Sequence, residues 1–243
     1  MSAIGILVAL PDEGRTLLDR RPRFESLSPL PGGHWLAVSG AGPEAAQRHA
    51  EALLAQGVVA LISWGCAAAL HETLKPGHLL LPSEVLGENA ERHVADPRWH
   101  AAVAGSLKDT HAPHTGLLVE SSRVVATAID KRALHQESGA IAVDMESAAL
   151  ARVARSHGRP FLVIRSVADS SRLDFPPVLL KALNPRGDAR MGPLLRGLAT
   201  RPRQIPDLMA LGQSFKLAMN TLASARKHLG EGLSFPDPTP SDP

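Results

Sequence analysis

Two acidic residues at the ends of apolar runs carry the strongest signal for chemistry. Glu146 follows the run AIAV, with Asp144 and Met145 between them, and Asp169 ends the next apolar run, FLVIRSVA. In open α/β sheets, ligands bind in the crevice beyond the carboxyl ends of the strands. The pair therefore predicts that Glu146 and Asp169 face one pocket. The alternative is that each carboxylate only caps a helix, since acidic residues in a first turn complement the helix dipole.

The elements that must position these carboxylates follow an alternating α/β pattern. Short runs rich in Val, Ile and Leu, starting at Ile4, are typical of strands buried on both faces, and helical segments separate them. Proline and glycine signals predict a helix that starts at Pro43 and ends before Gly57, and a second helix over 146–157. We predict one α/β domain over 1–230, with a central mixed β-sheet flanked by helices in a three-layer αβα arrangement.

The last third of the chain differs, because prolines interrupt Arg-rich segments before one long helix. From a plausible N-cap at Asp207, apolar residues recur in steps of three and four along one face. These residues are Leu208, Leu211, Phe215, Ala218, Leu222, Ala225 and Leu229. The stripe predicts a helix that docks on the sheet, with a coiled-coil seam as the alternative. We predict that 231–243, which is Pro-rich and poor in apolar residues, is disordered.

Composition excludes several classes of protein. The 243 residues are 44% hydrophobic with a formal net charge of +2, which is too balanced for a typical nucleic-acid binder. Cys66 is the single cysteine, so no internal disulfide can form, and a reducing cytoplasm is favoured. No secretory signal or membrane span is predicted. The eleven histidines lack metal-ligand spacing, and we expect no metal and no cofactor.

Three ordered blocks of sequence resemble a known family. VDMES followed by IRSVAD is similar to the signature of the nucleoside phosphorylase superfamily, especially the methylthioadenosine and S-adenosylhomocysteine nucleosidases. IGILVALPDEG resembles the opening strand of that family, and ISWGCAAALHETLKPGHLLLPSEV resembles its Gly-rich turn between two strands. The resemblance implies cleavage of the N-glycosidic bond of an adenine nucleoside.

The resemblance also implies roles for individual residues. Asp169 would be the general acid that protonates N7 of the departing adenine, and Glu13 would activate the attacking water. Glu146 would accept hydrogen bonds from the ribose hydroxyls, and Met145 would pack against the sugar. A carboxylate near the sugar would also stabilise an oxocarbenium-like transition state.

Further positions follow from the same blocks. Gly65 and Cys66 would form the turn that approaches the nucleophile. The base would lie against three positions: Val124, Val125 and Ala168. Here the chain departs from the nucleosidases, which have Ser in place of Ala168 and often an aromatic in place of Val124. We expect Cys66 to line the turn as a small buried residue and not to act as a nucleophile.

The residues leave the choice between water and phosphate open. Phosphorylases carry an Arg two residues before the Gly of the turn, where this chain has Ser63. Glu13 would repel a phosphate dianion and can serve as a base for water, although Arg15 and Arg48 could supply positive charge. The local signals lean towards hydrolysis, with inorganic phosphate retained as a conceivable co-substrate.

The C-terminal third resembles a narrower family, the phosphorylase-type enzymes of bacterial hopanoid biosynthesis. The segments are SSRVVATAIDKRAL, DFPPVLLKALNPRGDARMGPLLRGL and RPRQIPDLMALGQSF. The resemblance implies removal of adenine from adenosylhopane, leaving ribosylhopane or phosphoribosylhopane. The alternatives are a general purine nucleoside phosphorylase of salvage and a non-catalytic nucleoside-binding or lipid-binding module.

A hopane attached at the ribose 5′ end would need an apolar route beside the sugar. The insertion after Asp169 could line it with Leu173, Phe175, Pro176, Pro177, Val178, Leu179 and Leu180. Several arginines could then touch anionic lipid at the inner face of the membrane, or form an ordinary solvated face. They are Arg186, Arg190, Arg196, Arg201 and Arg203. Relatives imply a homodimer or larger homo-oligomer.

Overall fold

The apolar runs of the sequence form the strands of one mixed sheet. The computed structural model describes residues 2–184, 186–187 and 191–236. Within these residues the strands are β1 Ile4–Val8, β2 Ser26–Pro29, β3 Trp35–Val38, β4 Ala60–Ala69, β5 Leu79–Leu80, β6 Glu84–Leu86, β7 Arg92–Val94, β8 Leu117–Glu120, β9 Ala142–Asp144 and β10 Phe161–Asp169. The helices are α1 Pro11–Gly14, α2 Pro43–Leu54, α3 Pro97–His111, α4 Ala128–Ser138, α5 Ser147–Ser156, α6 Pro177–Ala182, α7 Met191–Thr200 and α8 Ile205–Leu229.

The sheet is organised around β4. β1 runs parallel to the first half of β4 on one edge, and β10 runs parallel to it on the other edge, from Phe161 opposite Leu61 to Asp169 opposite Ala68. Beyond the end of β1, β9 takes over the first edge and pairs antiparallel with Ala68 and Ala69. The residues that follow β1, β9 and β10 are therefore brought together around the second half of β4.

Two groups of helices flank the sheet. α2 and α5 pack on each other and against β1 and β4, while α8 packs along β10 beside α3. The core between them is aliphatic, with Trp64 and Trp99 as its largest fully buried apolar side chains. The predicted fold class, a single α/β domain with a central mixed sheet flanked by helices, is confirmed.

Helix boundaries agree with the sequence predictions to within two or three residues. α2 begins at Pro43, α5 spans Ser147–Ser156, and α8 begins at Ile205 instead of after Asp207. The earlier start of α8 is compatible with Pro206, because proline is tolerated in a first helical turn.

The apolar stripe of α8 divides into two parts. Ala218, Leu222, Ala225 and Leu229 are buried in the core, as expected of a docked helix. Leu208, Leu211 and Phe215, one or more turns earlier, are only partly buried and line a large cavity.

The segment after α8 corrects one prediction. Residues 231–236 were expected to be disordered, but Leu233 is fully buried and its carbonyl accepts a hydrogen bond from Trp99 Nε1 at 3.0 Å. The Phe235 ring meets the Trp99 ring edge-on, with 4.8 Å between centroids. These contacts place the segment against α3. Residues 237–243 lie outside the described part, and for them disorder remains a prediction. Across the described residues, no helix has the length and apolar character needed to cross a membrane.

Candidate active site

A cavity of about 760 Å³ opens beyond the ends of β1, β9 and β10. Five carboxylates form part of its lining: Asp12, Glu13, Asp144, Glu146 and Asp169. Apolar side chains from the segment after β10 and from the C-terminal helices form another part: Phe175, Leu179, Leu183, Leu194, Leu208, Leu211 and Phe215. We refer to these two sets of residues as the polar end and the apolar end.

Glu13 is fixed by backbone donors. It lies on the short helix α1 directly after β1 and is 2% exposed. One carboxylate oxygen accepts hydrogen bonds from the N–H groups of Ala9 and Leu10 at 2.9 and 2.8 Å, and the other accepts one from Cys66 at 2.8 Å. Burial raises the pKa of Glu13 above its usual range, against the opposing effects of Arg165 and these N–H groups.

Gly65 permits this arrangement because a side chain there would collide with charged groups. A Cβ at this position would lie 2.5 Å from Glu13 Oε1 and 2.6 Å from Arg165 Nη1. The backbone of β4 can therefore approach Glu13 closely enough for the Cys66 N–H to reach it. The glycine predicted for the turn has a definite steric role.

Arg165 balances the charge of two neighbouring carboxylates. Its side chain is 1% exposed, and Nη2 lies 2.6 Å from Asp144 Oδ2 and 3.4 Å from Glu146 Oε2. Nη2 also donates to Ser63 Oγ at 2.7 Å, while Ser147 Oγ donates to Asp144 and lies 3.0 Å from Ser63 Oγ. Arg165 is not among the site residues predicted from the sequence, although a charge inside an apolar run requires a buried partner.

Glu146 lies between this network and the cavity. Its Oε1 accepts a hydrogen bond from the Gly42 N–H at 3.1 Å. Burial raises the pKa of Glu146 to about 8, against the opposing effect of Arg165 and with a further increase from Asp144 and Glu13. A carboxyl group in this state can accept or donate hydrogen bonds to sugar hydroxyls.

Asp169 forms a separate ion pair with a lysine that sequence reasoning missed. Lys131, on α4, is fully buried, and its Nζ lies 2.5 Å from Asp169 Oδ2. Asp169 Oδ1 has no hydrogen-bond partner among the described residues. Burial raises the pKa of Asp169 to about 6, while Lys131 acts in the opposite direction.

Most of the predicted site residues line the same cavity. Besides Glu13, Glu146 and Asp169, they are Cys66, Val124, Val125, Met145 and Ala168. Burial raises the pKa of the Cys66 thiol well above its ordinary value, an effect that Glu13 reinforces, so the group is disfavoured as a thiolate.

Arg48 was expected near the nucleophile, and the structure does not place it there. Its side chain is exposed on α2 and does not line the cavity. Two of the three buried positions of α2, Ala46 and Ala50, are each two residues away, which places Arg48 on the opposite side of the helix. Arg15 is also exposed.

In the described part of the chain, no group of three or more His, Cys, Asp or Glu side chains is arranged to hold a metal ion. The absence of a metal and of a cofactor remains a prediction from the sequence.

Comparison with known proteins assigns the family. The chain matches the phosphorylase superfamily over residues 3–176, which is well over half of its length. The protein therefore belongs to the phosphorylase superfamily, and the enzyme class predicted from the sequence is confirmed. No curated protein sequence matches the chain.

Several solved structures share this fold. Futalosine hydrolase of Helicobacter pylori is 20% identical with a TM-score of 0.70, covering 94% of this chain and 97% of that one. The 5′-methylthioadenosine/S-adenosylhomocysteine nucleosidase of Neisseria meningitidis, in complex with methylthio-immucillin-A, is 18% identical with a TM-score of 0.72, covering 97% and 100%. The H. pylori nucleosidase bound to a butylthio inhibitor is 22% identical with a TM-score of 0.65, covering 93% and 97%.

Proposed function

We propose that this enzyme hydrolyses the N-glycosidic bond of an adenine nucleoside that carries a large apolar group at the 5′ position. The observation that carries the proposal is that Glu13, Glu146 and Asp169, from three separate parts of the chain, line one cavity whose other end is apolar. These are the residues to which the family resemblance gives the acid, base and sugar-binding roles.

The reaction assigns one proton transfer to each side of the scissile bond. Asp169 donates its proton to N7 as the bond between C1′ and N9 breaks, and the bonding electrons leave with adenine. Water attacks C1′, and Glu13 accepts a proton from it. Glu146 holds the ribose hydroxyls, while Val124 and Ala168 contact the base. Positioned acid and base groups of this kind typically contribute about 10²–10⁴-fold each.

The charges at the polar end favour water over phosphate. Glu13, Asp144, Glu146 and Asp169 are all buried, and the buried cations beside them, Arg165 and Lys131, are already engaged with carboxylates. The Cys66 N–H, a natural donor to an incoming anion, is occupied by Glu13. A phosphate dianion would add charge to a site rich in carboxylates, which is costly in a buried environment.

The apolar end supports a hydrophobic 5′ substituent. Seven apolar side chains line it, namely Phe175, Leu179, Leu183, Leu194, Leu208, Leu211 and Phe215. Two of the structural neighbours were solved with methylthio and butylthio inhibitors, which are also alkyl-substituted. The resemblance of the C-terminal third to the hopanoid enzymes makes adenosylhopane the specific substrate that we propose.

A membrane-resident substrate would bring this end of the protein to the lipid surface. Exposed apolar side chains lie on helices that line the cavity: Leu180 on α6, and Ile205 and Met209 on α8. Arg196, Arg201 and Arg203 are exposed nearby in sequence, while Arg190 lies outside the described residues. We propose peripheral binding to anionic bilayers. Cosedimentation with vesicles of phosphatidylcholine, with and without phosphatidylglycerol, tests this; equal retention by both would contradict it.

Adenine release is the direct test of the function. Purified protein is incubated with adenosylhopane, methylthioadenosine and adenosine, each with and without phosphate. We expect phosphate-independent release of adenine, fastest from adenosylhopane, and a loss of most turnover in Asp169→Asn. No adenine from any substrate would overturn the proposal, and strict phosphate dependence would replace hydrolysis by phosphorolysis.

A further inference from the structure

Lys131 is the one lysine that the structure buries completely among the described residues, and it does not line the cavity. Burying an ammonium group is costly unless every donor finds a partner. Lys131 Nζ meets that condition with Asp169 Oδ2 at 2.5 Å and the carbonyl oxygens of Ser170 and Leu173 at 2.9 and 2.8 Å. The ammonium group also lies 5.5 Å from the centre of the Phe175 ring.

The two oxygens of Asp169 therefore have different surroundings. Oδ2 is held by Lys131, whereas Oδ1 is buried without a partner among the described residues. An unsatisfied buried acceptor costs free energy, and Asp169 is one of the residues that line the cavity, so its second oxygen is suited to a partner on the substrate. The lysine fixes which oxygen remains available for the base.

We propose that Lys131 is a positioning residue for the general acid: it holds Oδ2 so that Oδ1 meets the leaving adenine, and it stabilises the carboxylate that remains after proton transfer. The proton moves from Asp169 Oδ1 to N7, the electrons of the broken bond leave with the base, and Lys131 keeps its own proton throughout. The inference rests on the proposed function, because it needs Asp169 to act as an acid.

The same ammonium group connects the acid to the apolar end. The carbonyls it binds belong to the segment between Asp169 and α6, and Phe175 in that segment lines the cavity. Two further bonds join this segment to the start of α4: Asp174 Oδ1 accepts from the Ala128 N–H at 2.7 Å, and the Phe175 N–H donates to the Ala126 carbonyl at 2.8 Å. A defect at Lys131 is thus expected to lower kcat and also to weaken selection for the 5′ substituent.

The pH dependence of kcat separates this role from a merely structural one. Asp169 must be protonated to act, so the rate falls as the pH rises through the pKa of Asp169, which is about 6. Lys131 lowers that pKa. In Lys131→Met we therefore expect the alkaline limb of the profile to move to higher pH by about one unit or more, since neighbouring charges shift carboxyl pKa values by about 1–3 units. At acidic pH, where the acid is protonated in both proteins, we expect kcat to fall by about 10-fold or more because the product carboxylate loses its partner.

Conservative variants complete the experiment. Lys131→Arg keeps the charge and should leave the alkaline limb of the kcat profile close to its original position. If Lys131→Met does not fold, Lys131→Gln takes its place as the uncharged variant. Lys181→Met, an exposed lysine on α6, is the matched control. If the alkaline limb of the kcat profile does not move in the uncharged variant, the inference is overturned, whatever the loss of rate. The proposed function would then stand. A wild-type protein that releases no adenine would overturn both.

Discussion

The polar and apolar ends of the cavity are built in opposite ways. Carboxylates at the polar end follow β1, β9 and β10, are 5% exposed or less apart from Asp12, and are held by buried cations or backbone N–H groups. The apolar end consists of short helices and the first turns of α8, with side chains such as Leu211 and Phe215 that remain partly exposed.

The two ends have different functions. Stabilising charge in a transition state requires groups that are already in place, and strand ends in a packed sheet provide fixed positions. Binding an apolar substituent requires contact area but no particular direction of contact, and apolar side chains can provide that area. We infer that the polar end determines the reaction and the apolar end determines the substrate range.

The largest effect should come from removing Arg165 from the polar end. Arg165→Met leaves Asp144 and Glu146 buried beside each other without a neutralising cation, which we expect to cost about 3–5 kcal/mol of unfolding free energy. Urea denaturation measures it. Arg152→Met is the control, because Arg152 pairs with Glu91 at the surface and such pairs contribute about 0–1 kcal/mol. Equal losses of unfolding free energy in Arg165→Met and Arg152→Met would contradict the charge-balancing role that we assign to Arg165.

Glu13→Gln should separate chemistry from binding. The amide oxygen can accept from the Ala9 and Leu10 N–H groups, but the amide NH₂ then faces the Cys66 N–H, and the side chain cannot take a proton from water. We therefore expect kcat to fall by about 10²–10³-fold, with a loss of about 1–3 kcal/mol of stability from the unpaired donors. Adenine release without phosphate is the measurement. Glu72→Gln, at an exposed residue whose carboxylate pairs with Arg172 and does not line the cavity, is the control and should keep its rate. Full activity in the Glu13 variant would remove the proposed base.

The sequence predicts the polar end better than it predicts the apolar end. The carboxylates of Glu146 and Asp169 follow apolar runs, and strand ends are recognisable from such runs because the side chains are buried on both faces. The apolar stripe of α8 shows why the apolar end is harder to predict. Apolar residues recur every three to four positions both where they enter the core, as at Leu222, and where they line the cavity, as at Leu211.

The cations illustrate what sequence reasoning can and cannot find. Arg165 interrupts an apolar strand, a recognisable signal that a buried partner exists. Lys131 gives no such signal, because a lysine in the polar helix DKRALHQES is ordinarily solvated and only the tertiary fold brings it to Asp169. Arg48 shows the reverse error, since a cation near the right segment lies on the wrong face of its helix.

A smaller effect, restricted to one class of substrate, should follow truncation at the apolar end. Leu211→Ala removes part of the wall that would contact the 5′ substituent. We expect KM for adenosylhopane to rise by about 10-fold, since a buried leucine side chain contributes about 1.5–3 kcal/mol and is only partly covered here. KM for adenosine should not change. Leu217→Ala, at an exposed position of the same helix, is the control. A parallel rise for adenosine would show that the two ends are not separable.

The smallest effect should appear only as a pH dependence of stability. Glu120, at the end of β8, is 4% exposed and accepts a hydrogen bond from the Ala149 N–H at 2.8 Å, but does not line the cavity. Burial raises the pKa of Glu120 to about 7. A carboxyl whose pKa is higher in the folded state contributes stability at low pH, and this contribution is lost as the pH rises through about 7.

Glu120→Gln removes that dependence. As the pH rises from about 5 to about 9, the unfolding free energy of the variant should therefore gain about 1–2 kcal/mol relative to that of the wild type. Thermal unfolding at several pH values measures the change, and Glu84→Gln, at a more exposed carboxylate, should show little of it. Because Glu120 lies beneath the polar end without contacting substrate, kcat should stay unchanged in the same protein. Loss of activity in Glu120→Gln would instead show that this carboxyl group at the end of β8 also takes part in the reaction.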